Sequence, residues 1–298
     1  MYDHILLPVD GSDESTAAAR RTLELARDFD ATVEAVYVVD GRARRLTRTD
    51  RERDRLRDHG ESVLGEIESL AADIGHPVTT ELLKGKPSVR IDEYARETDA
   101  SLIVLGRQGM TGLGKRLLGG VTEQLLHRTS VPVLVVSGGR QSDADAFEYS
   151  RILVPTDGST NAETATRHSG AVAEQYGATV HVLNVVDIQA AGGTFNAGGL
   201  NETFVERLEE SGREAVDSAA ADLETTAPAV AIETAVTRTD SFDGVAVGIR
   251  EYVADHDIDL VVMGSHGRSN LKRQLLGSVT SQLLRTIDVP VLVVPRAP

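Results

Sequence analysis

The stretch "GSHGRSNLKRQLLGSVTSQLL", from Gly264 to Leu284, directly follows the apolar run "DLVVM". Its spacing, G-x2-G-x9-G-[ST], predicts two glycines in a loop after a buried strand and a Gly-Ser pair at the start of a helix. Glycine in such a loop permits positive φ and lets backbone N–H groups approach a ligand. The first turn of the helix adds N–H groups without intrahelical partners and the positive end of the dipole. The stretch therefore predicts a phosphate site, the alternative being two tight turns and a serine cap.

The same layout occurs earlier, in "GRQGMTGLGKRLLGGVTEQLL" from Gly106 to Leu126. Other stretches repeat in the same order: "HILLPVDGSDES" matches "RILVPTDGSTNA", and "VPVLVVS" matches "VPVLVVP". The chain of 298 residues is therefore a duplicated unit,. We predict a first domain at 1–138, a polar linker at 139–148 and a second domain at 149–298. The two copies differ at the last position of the glycine pattern, where Gly120 of the first copy occupies the place of Ser278 in the second.

Each copy alternates short apolar runs with longer amphipathic stretches. In the second copy the runs "RILVPTD", "TVHVLNVVD", "VAIETAVTR" and "DLVVM" predict strands, and the helix before Gly177 is expected to end there,. Strands that are apolar almost throughout and are separated by helices indicate a parallel sheet covered on both faces. The fold class predicted is α/β, with two doubly wound five-stranded parallel-sheet domains. In such sheets ligands bind beyond the carboxyl ends of the strands, where the strand order reverses.

Composition narrows the possible functions. The net charge of −15 disfavours nonspecific binding to nucleic acid or to an anionic membrane,. Four lysines among 31 basic residues suggest adaptation to high salt or, equally, a codon bias,. There is no cysteine, and no apolar run approaches the ~20 residues of a membrane span,. Because "MYDHILLPVDGSD" does not have the pattern of a secretory signal, we expect a cytoplasmic protein,.

Two segments stand apart from the repeat. The stretch 41–58 holds eight arginines against four acids, and we interpret it as a helix face with pairs such as Asp50–Arg53 and Asp54–Arg57,. A nucleic-acid site there is disfavoured because no aromatic side chains are interleaved for base stacking. The small-residue stretch 188–201 predicts either a mobile loop over the ligand crevice or a tolerated surface insertion.

Asp10 and Asp157 end the first strand of each copy, just before Gly-Ser. A carboxylate there can accept hydrogen bonds from a ligand in the crevice, or it can cap the following helix. Since Ser12 and Ser159 are available as caps, the ligand role is favoured. Other phosphate motifs fit less well: "GMTGLGKR" resembles a P-loop, but Arg116 replaces the Ser or Thr that holds magnesium, and no G-x-G-x-x-G is present,.

The glycine pattern, the "PxDGS" first strand and the "VPVLVV" last strand resemble the universal stress protein family in a tandem two-domain form. The resemblance covers the chain except the linker and 188–201. It implies a five-stranded parallel α/β fold, binding of ATP (or AMP or ADP) and a Mg or Mn ion that accompanies the nucleotide.

The resemblance also implies site residues. In the second copy, Asp157 and Val185 would hold the adenosine end, Met263 and Gly264 would line the pocket, and the phosphates would lie near Gly267, Gly277, Ser278, Val279 and Thr280. The corresponding first-copy residues are Asp10, Val38, Leu105, Gly106, Gly109, Gly119, Gly120 and Thr122. The missing hydroxyl at Gly120 predicts weaker binding there than in the second copy.

The sequence favours a nucleotide-binding regulatory protein over an enzyme. His266 lies in the phosphate loop, where it could contact the ligand or shuttle a proton, so a slow ATPase or nucleotidyl-transferring enzyme is the alternative,. The other histidines have no metal-ligand spacing, and no site for a metal bound by the protein is predicted. We expect an adenine nucleotide as partner, no membrane or nucleic acid, and a pseudo-twofold pair of the two copies, with a further homodimer left open.

Overall fold

The computed structural model describes residues 1–40, 50–109, 117–137, 149–189, 202–241, 244–268 and 276–296. Within the helix that begins at Asp50, it describes side chains from residue 54 onward. The chain divides into two compact units, Met1–Phe147 and Glu148–Pro298. The linker at 139–148 lies outside the described residues, so the domain boundaries 1–138 and 149–298 stay predictions.

Strands and helices alternate along both units. The first unit contains β1 (His4–Val9), α1 (Asp13–Phe29), β2 (Thr32–Asp40), α2 (Asp50–Ile74), β3 (Val78–Gly85), α3 (Pro87–Glu97), β4 (Leu102–Gly106), α4 (Gly120–Leu126) and β5 (Val133–Val136). The second contains β6 (Arg151–Pro155), α5 (Thr160–Tyr176), β7 (Thr179–Asp187), α6 (Glu202–Thr226), β8 (Ala231–Thr239), α7 (Val245–Asp255), β9 (Leu260–Gly264), α8 (Ser278–Thr286) and β10 (Val291–Val294).

Each unit has a parallel sheet with the same strand order. The first runs β3-β2-β1-β4-β5 and the second β8-β7-β6-β9-β10, with parallel pairing at each junction. In the first unit Ile5 of β1 pairs with Val33 of β2 on one side and with Leu102 of β4 on the other. The order therefore reverses between β1 and β4, and likewise between β6 and β9. This confirms the predicted α/β class and places a crevice at the carboxyl ends of these strands.

Burial explains why the strands read as continuous apolar runs. Ile5, Leu6 and Leu7 of β1 are fully buried although neighbouring side chains point to opposite faces of the sheet,. Both faces of the strand are therefore covered, which is the arrangement that a continuous apolar run predicts. Each such side chain contributes about 1.5–3 kcal/mol when it leaves water.

Serine begins the helices that start next to the crevice, and glycine ends one of them at the opposite edge of the sheet. The Ser12 hydroxyl accepts a hydrogen bond from the Ser15 N–H at 3.2 Å and caps α1. Ser159 caps α5 in the same way, through the Ala162 N–H at 3.4 Å. Gly177 ends α5 with φ of 66°, as the sequence predicted,.

The two segments outside the repeat are described only in part. In α2, the Arg57 Nε donates to Glu61 Oε1 at 2.7 Å, four residues on. This hydrogen bond and, to a smaller extent, the charge of Asp54 raise the pKa of Arg57, so the predicted partner Asp54 also attracts it. Residues 41–49 and the side chains of Asp50 and Arg53 lie outside the described residues, as do 190–201 of the small-residue stretch. Within the described parts of the chain, no helix is long and apolar enough to cross a membrane.

The packing of the two copies as a pseudo-twofold pair stays a prediction. If "VPVLVV" at 131–136 and 289–294 forms the contact, each half expressed alone would expose an apolar strand and self-associate,. We therefore expect residues 1–138 and 149–298, expressed separately, to elute from a sizing column as dimers or aggregates, while an equimolar mixture forms a heterodimer. Two well-behaved monomers that ignore each other would contradict the prediction.

Candidate functional site

A cavity of about 580 Å³ opens at the carboxyl ends of the strands in the first unit. Its walls combine apolar side chains with a few polar groups, as small-molecule sites generally do. Every residue that the sequence singled out in the first copy lies on its wall: Asp10, Val38, Leu105, Gly106, Gly109, Gly119, Gly120 and Thr122. Residues spread over more than a hundred positions of the sequence are thus brought to one crevice.

The carboxylates of Asp10 and Asp157 are oriented by the turn that follows them. Asp10 Oδ1 accepts hydrogen bonds from the Ser12 N–H at 3.0 Å and the Ser12 hydroxyl at 2.6 Å. Asp157 Oδ1 accepts from the Ser159 N–H at 3.0 Å, and its Oδ2 accepts from the Arg268 N–H at 2.8 Å. Because the serines cap the helices, neither aspartate is needed as a cap. Asp10 lies on the cavity wall, where its carboxylate can accept from a ligand.

The second glycine of each pattern is needed because a carboxylate lies against it. A Cβ on Gly109 would lie 2.2 Å from Asp10 Oδ2, and one on Gly267 would lie 2.5 Å from Asp157 Oδ2. Neither glycine has a positive φ, so the interpretation through positive φ is wrong for both. The positive values occur instead in the "DGS" turns, at Gly11 (82°) and Gly158 (72°).

The first glycine of each pattern makes room for a helix. A Cβ on Gly106 would lie 2.9 Å from the backbone carbon of Glu14 in α1. On Gly264 it would lie 2.6 Å from the side-chain nitrogen of Asn161 in α5. These glycines end buried strands and let the first turn of the helix approach them. Their role in the fold is packing.

The third glycine of each pattern, just before the helix, forms a hydrogen bond with the residue that directly follows the preceding strand. The Gly119 N–H donates to the Arg107 carbonyl at 2.8 Å, and the Gly277 N–H donates to the Ser265 carbonyl at 2.8 Å. These two N–H groups are therefore used within the protein. The first residues of the helices, Gly120 in α4 and Ser278 in α8, follow them and are exposed.

Thr122 and Thr280 have a structural role in this geometry. The Thr122 hydroxyl donates to the Gly106 carbonyl at 3.1 Å and the Thr280 hydroxyl to the Gly264 carbonyl at 3.0 Å. Both side chains are buried. A hydroxyl that already donates to a carbonyl has no proton left for a phosphate, so the structure disagrees with the expected phosphate contact of these hydroxyls.

Replacing either threonine by valine should therefore destabilise its unit. Thr280→Val removes the donor from the buried Gly264 carbonyl, and we expect the free energy of unfolding to fall by about 1–3 kcal/mol. Urea denaturation checks this, with Thr280→Ser as the control that keeps the hydroxyl. Thr122→Val should behave alike in the first unit. Valine variants as stable as the wild-type protein would show that the contact contributes nothing.

The remaining candidates of the second unit lie on different elements: Val185 in β7, Met263 in β9 and Val279 in α8. Val185 and Met263 are buried, and Val279 is half-buried in the first turn of α8. The His266 carbonyl accepts from the Asn161 side chain at 2.9 Å, and the His266 Nδ1 lies 2.9 Å from the Ser265 hydroxyl. In the described part of the chain, the buried Nε2 of His266 finds no hydrogen-bond partner. Residues 269–275 lie outside the described residues.

Several cavity residues of the first unit were missed from the sequence. They are Tyr37 and Asp40 on β2, Lys86 before α3, Ser88 and Ile91 on α3, and Gln124 on α4. Lys86 carried a usable signal, since it lies between a strand and the proline that begins a helix, and so at a carboxyl end of the sheet. Ser88, Ile91 and Gln124 are brought together because α3 and α4 pack beside each other.

The electrostatics of the cavity are mixed. Asp10 and Asp40 bring two carboxylates to its wall, and Lys86 brings an ammonium group. Burial and, second, the charge of Asp10 raise the pKa of Tyr37, so its hydroxyl keeps its proton and can donate. Among the described residues no cluster of three or more His, Asp or Glu could hold a metal ion.

Comparison with known proteins shows which family the chain belongs to. The model of the universal stress protein family matches residues 1–137 and again 148–295. A universal stress protein of Mycolicibacterium smegmatis is 32% identical over 305 aligned residues, covering 98% of this chain and 97% of that protein. One from Methanocaldococcus jannaschii is 37% identical over 146 residues, covering 46% of this chain and 82% of that protein.

A solved structure shows the same fold. The crystal structure of a universal stress protein from Archaeoglobus fulgidus covers 100% of this chain, and the match covers 97% of that chain. The TM-score is 0.70 and the sequence identity 22%. With two matches of the family model and a relative aligned along almost the whole chain, this protein belongs to the universal stress protein family, in a form with two repeats.

Proposed function

We propose that this protein binds an adenine nucleotide at the carboxyl ends of the strands in both units and acts as a nucleotide-binding regulatory protein in a stress response. The observation that carries the proposal is the first unit's cavity. Its volume of about 580 Å³ falls within the usual range for small-molecule sites, and all eight candidate residues of that copy lie on its wall,.

The cavity offers different chemistry along its length. Val38, Leu105 and Ile91 give apolar surface suited to a base. Asp10 offers a carboxylate that can accept from the hydroxyls of a ribose. The first turn of α4, which begins at Gly120, has backbone N–H groups without intrahelical partners, and phosphates would lie there,. A Mg or Mn ion would reduce the charge of those phosphates beside Asp10 and Asp40.

The matching residues of the second unit support a second site. Asp157 and Gly267 repeat the contact of carboxylate and glycine, and Ser278 begins α8 where Gly120 begins α4. The Ser278 hydroxyl is exposed and would add a phosphate contact that Gly120 cannot make. We therefore propose that the second unit binds the nucleotide more tightly.

Calorimetric titration of the purified protein with ATP, ADP, AMP and GTP tests the proposal. The protein is first unfolded and refolded to release any nucleotide that co-purifies, and chromatography of the released fraction identifies it. We expect two adenine-nucleotide sites per chain, with GTP binding more weakly. A protein that carries no nucleotide and shows no heat with any of the four would refute the proposal.

Slow ATP hydrolysis is the second candidate, and His266 is the observation that favours it. Its buried Nε2 has no hydrogen-bond partner in the described part of the chain and lies in the loop proposed to face the phosphates. Phosphate release over many turnovers in excess ATP, abolished by His266→Gln with ATP affinity retained, would establish an enzyme. Binding without turnover would leave the regulatory role.

A further inference from the structure

We propose that Gln124 is a ligand-contacting residue of the first unit: its amide, held by Ser88, donates to the phosphate group beside Gly120 and compensates in part for the hydroxyl that Ser278 provides in the second unit. The proposal rests on the proposed function, because it concerns the same crevice. Ser88, Gly120 and Gln124 all lie on the wall of the cavity.

The contact with Ser88 determines how the amide is oriented. Ser88 is the second residue of α3, and its side chain is 1% exposed. Its hydroxyl donates to Gln124 Oε1 at 3.2 Å. Because the carboxamide oxygen is turned to Ser88, the NH₂ group is turned away from it, and this group carries two donors. Gln124 itself is exposed, so its NH₂ group is open to a ligand.

The NH₂ group lies close to the position where the first copy lacks a hydroxyl. A Cβ on Gly120 would lie 3.9 Å from Gln124 Nε2, and among the residues that the structure describes no other atom outside the immediate chain would come within 4 Å. The space in which a serine at 120 would place its hydroxyl therefore borders the Gln124 donor. A phosphate oxygen at this point can accept from that donor in place of a hydroxyl.

The two copies differ in a correlated way. Gln282 is the fifth residue of α8, as Gln124 is of α4, so both copies have the glutamine. Ala246 is the second residue of α7 and is buried where the first copy has Ser88. The second copy has the serine of the phosphate turn, but alanine replaces the serine that orients the glutamine in the first copy. The first copy has the oriented glutamine but no serine in the turn.

A binding experiment on the full-length chain can isolate this crevice. The Gly267→Val background disables the second site by placing a side chain against Asp157. In that background, affinities for ATP and for adenosine are measured by displacement of a fluorescent ATP analogue. We expect Gln124→Leu to lower the affinity for ATP about tenfold, because a hydrogen bond to a charged group is lost. The affinity for adenosine should change by less than twofold. Ser88→Ala should also lower the affinity for ATP, by a smaller factor than Gln124→Leu.

The matched control is Gln282→Leu, measured in the Gly109→Val background that disables the first site. We expect a change in ATP affinity below twofold, since Ala246 cannot orient that side chain. A rescue variant adds a second criterion. Gly120→Ser should restore ATP affinity in the Gln124→Leu protein, and should raise it more there than in the protein that keeps Gln124.

The outcomes separate the two proposals. If Gln124→Leu lowers the affinities for ATP and adenosine equally, or changes neither, Gln124 only joins α3 to α4. The inference is then wrong, while the proposed nucleotide binding stands. Failure of Gly120→Ser to rescue also overturns it. If the wild-type protein and both backgrounds bind no nucleotide, the proposed function fails together with the inference.

Discussion

Gly109→Val should remove one nucleotide site from the chain, and Gly267→Val should remove the other. In each case the new Cβ would lie within 2.5 Å of a carboxylate oxygen, that of Asp10 or of Asp157. These carboxylates cannot simply turn away, because the N–H groups of Ser12 and Ser159 hold them. The side chain therefore both displaces the proposed ribose contact and occupies the ligand's space.

We expect each variant to lose at least about 100-fold in affinity at its own site, because each loss of a hydrogen bond to a charged group alone is worth about tenfold or more. Calorimetric titration with ATP should then give one site per chain. Gly65→Val is the matched control: Gly65 lies within α2, and its Cβ would meet no atom within 4 Å. Two sites of unchanged affinity in Gly109→Val would contradict the placement of the ligand beside Asp10.

Ser278→Gly should weaken the second site about 10- to 100-fold, since a hydroxyl donor to phosphate is lost while the backbone N–H remains. Gly120→Ser, the reciprocal change, should strengthen the first site. We expect the gain in affinity from Gly120→Ser to be smaller than the loss from Ser278→Gly, because Gln124 already places a donor beside Gly120.

Neither change should disturb the fold. Ser278 and Gly120 are both exposed first residues of helices, and a Cβ on Gly120 meets no close neighbour. Circular dichroism and thermal unfolding check this before titration. Two sites of equal affinity in the wild-type protein, or an affinity that neither change alters, would contradict the role given to the serine.

Sequence reasoning predicted most of the architecture correctly, for a local reason. The apolar runs of β6 to β9 were found within two residues of their ends, and Gly177 was found as the helix end. Such features depend on a few neighbouring residues, and duplication presents each of them twice. The sequence did not single out Glu61 as a partner of Arg57, because partners three and four residues along a helix are both within reach,.

The first-copy positions that the sequence predicted lie on the cavity wall, but several of these residues have a different role from the one predicted. Gly109 was expected to need unusual backbone angles, whereas it needs the space beside Asp10. Thr280 was expected to contact phosphate, whereas its hydroxyl joins α8 to the end of β9. A motif records which residue is required at a position and does not say which neighbour requires it.

The sequence by itself determined the duplication, the α/β class, the position of the crevice at the strand ends and, in the first unit, the glycines and Asp10 on its wall. These follow from repeated spacing and from the period of apolar residues, which are properties of the chain near each position. Only the tertiary structure decided which groups meet across the crevice, such as Ser88 with Gln124, or Gly109 with Asp10. The reason is physical: such contacts depend on the order of the strands and on how the helices pack over their ends, and neither is recorded in any single stretch of sequence.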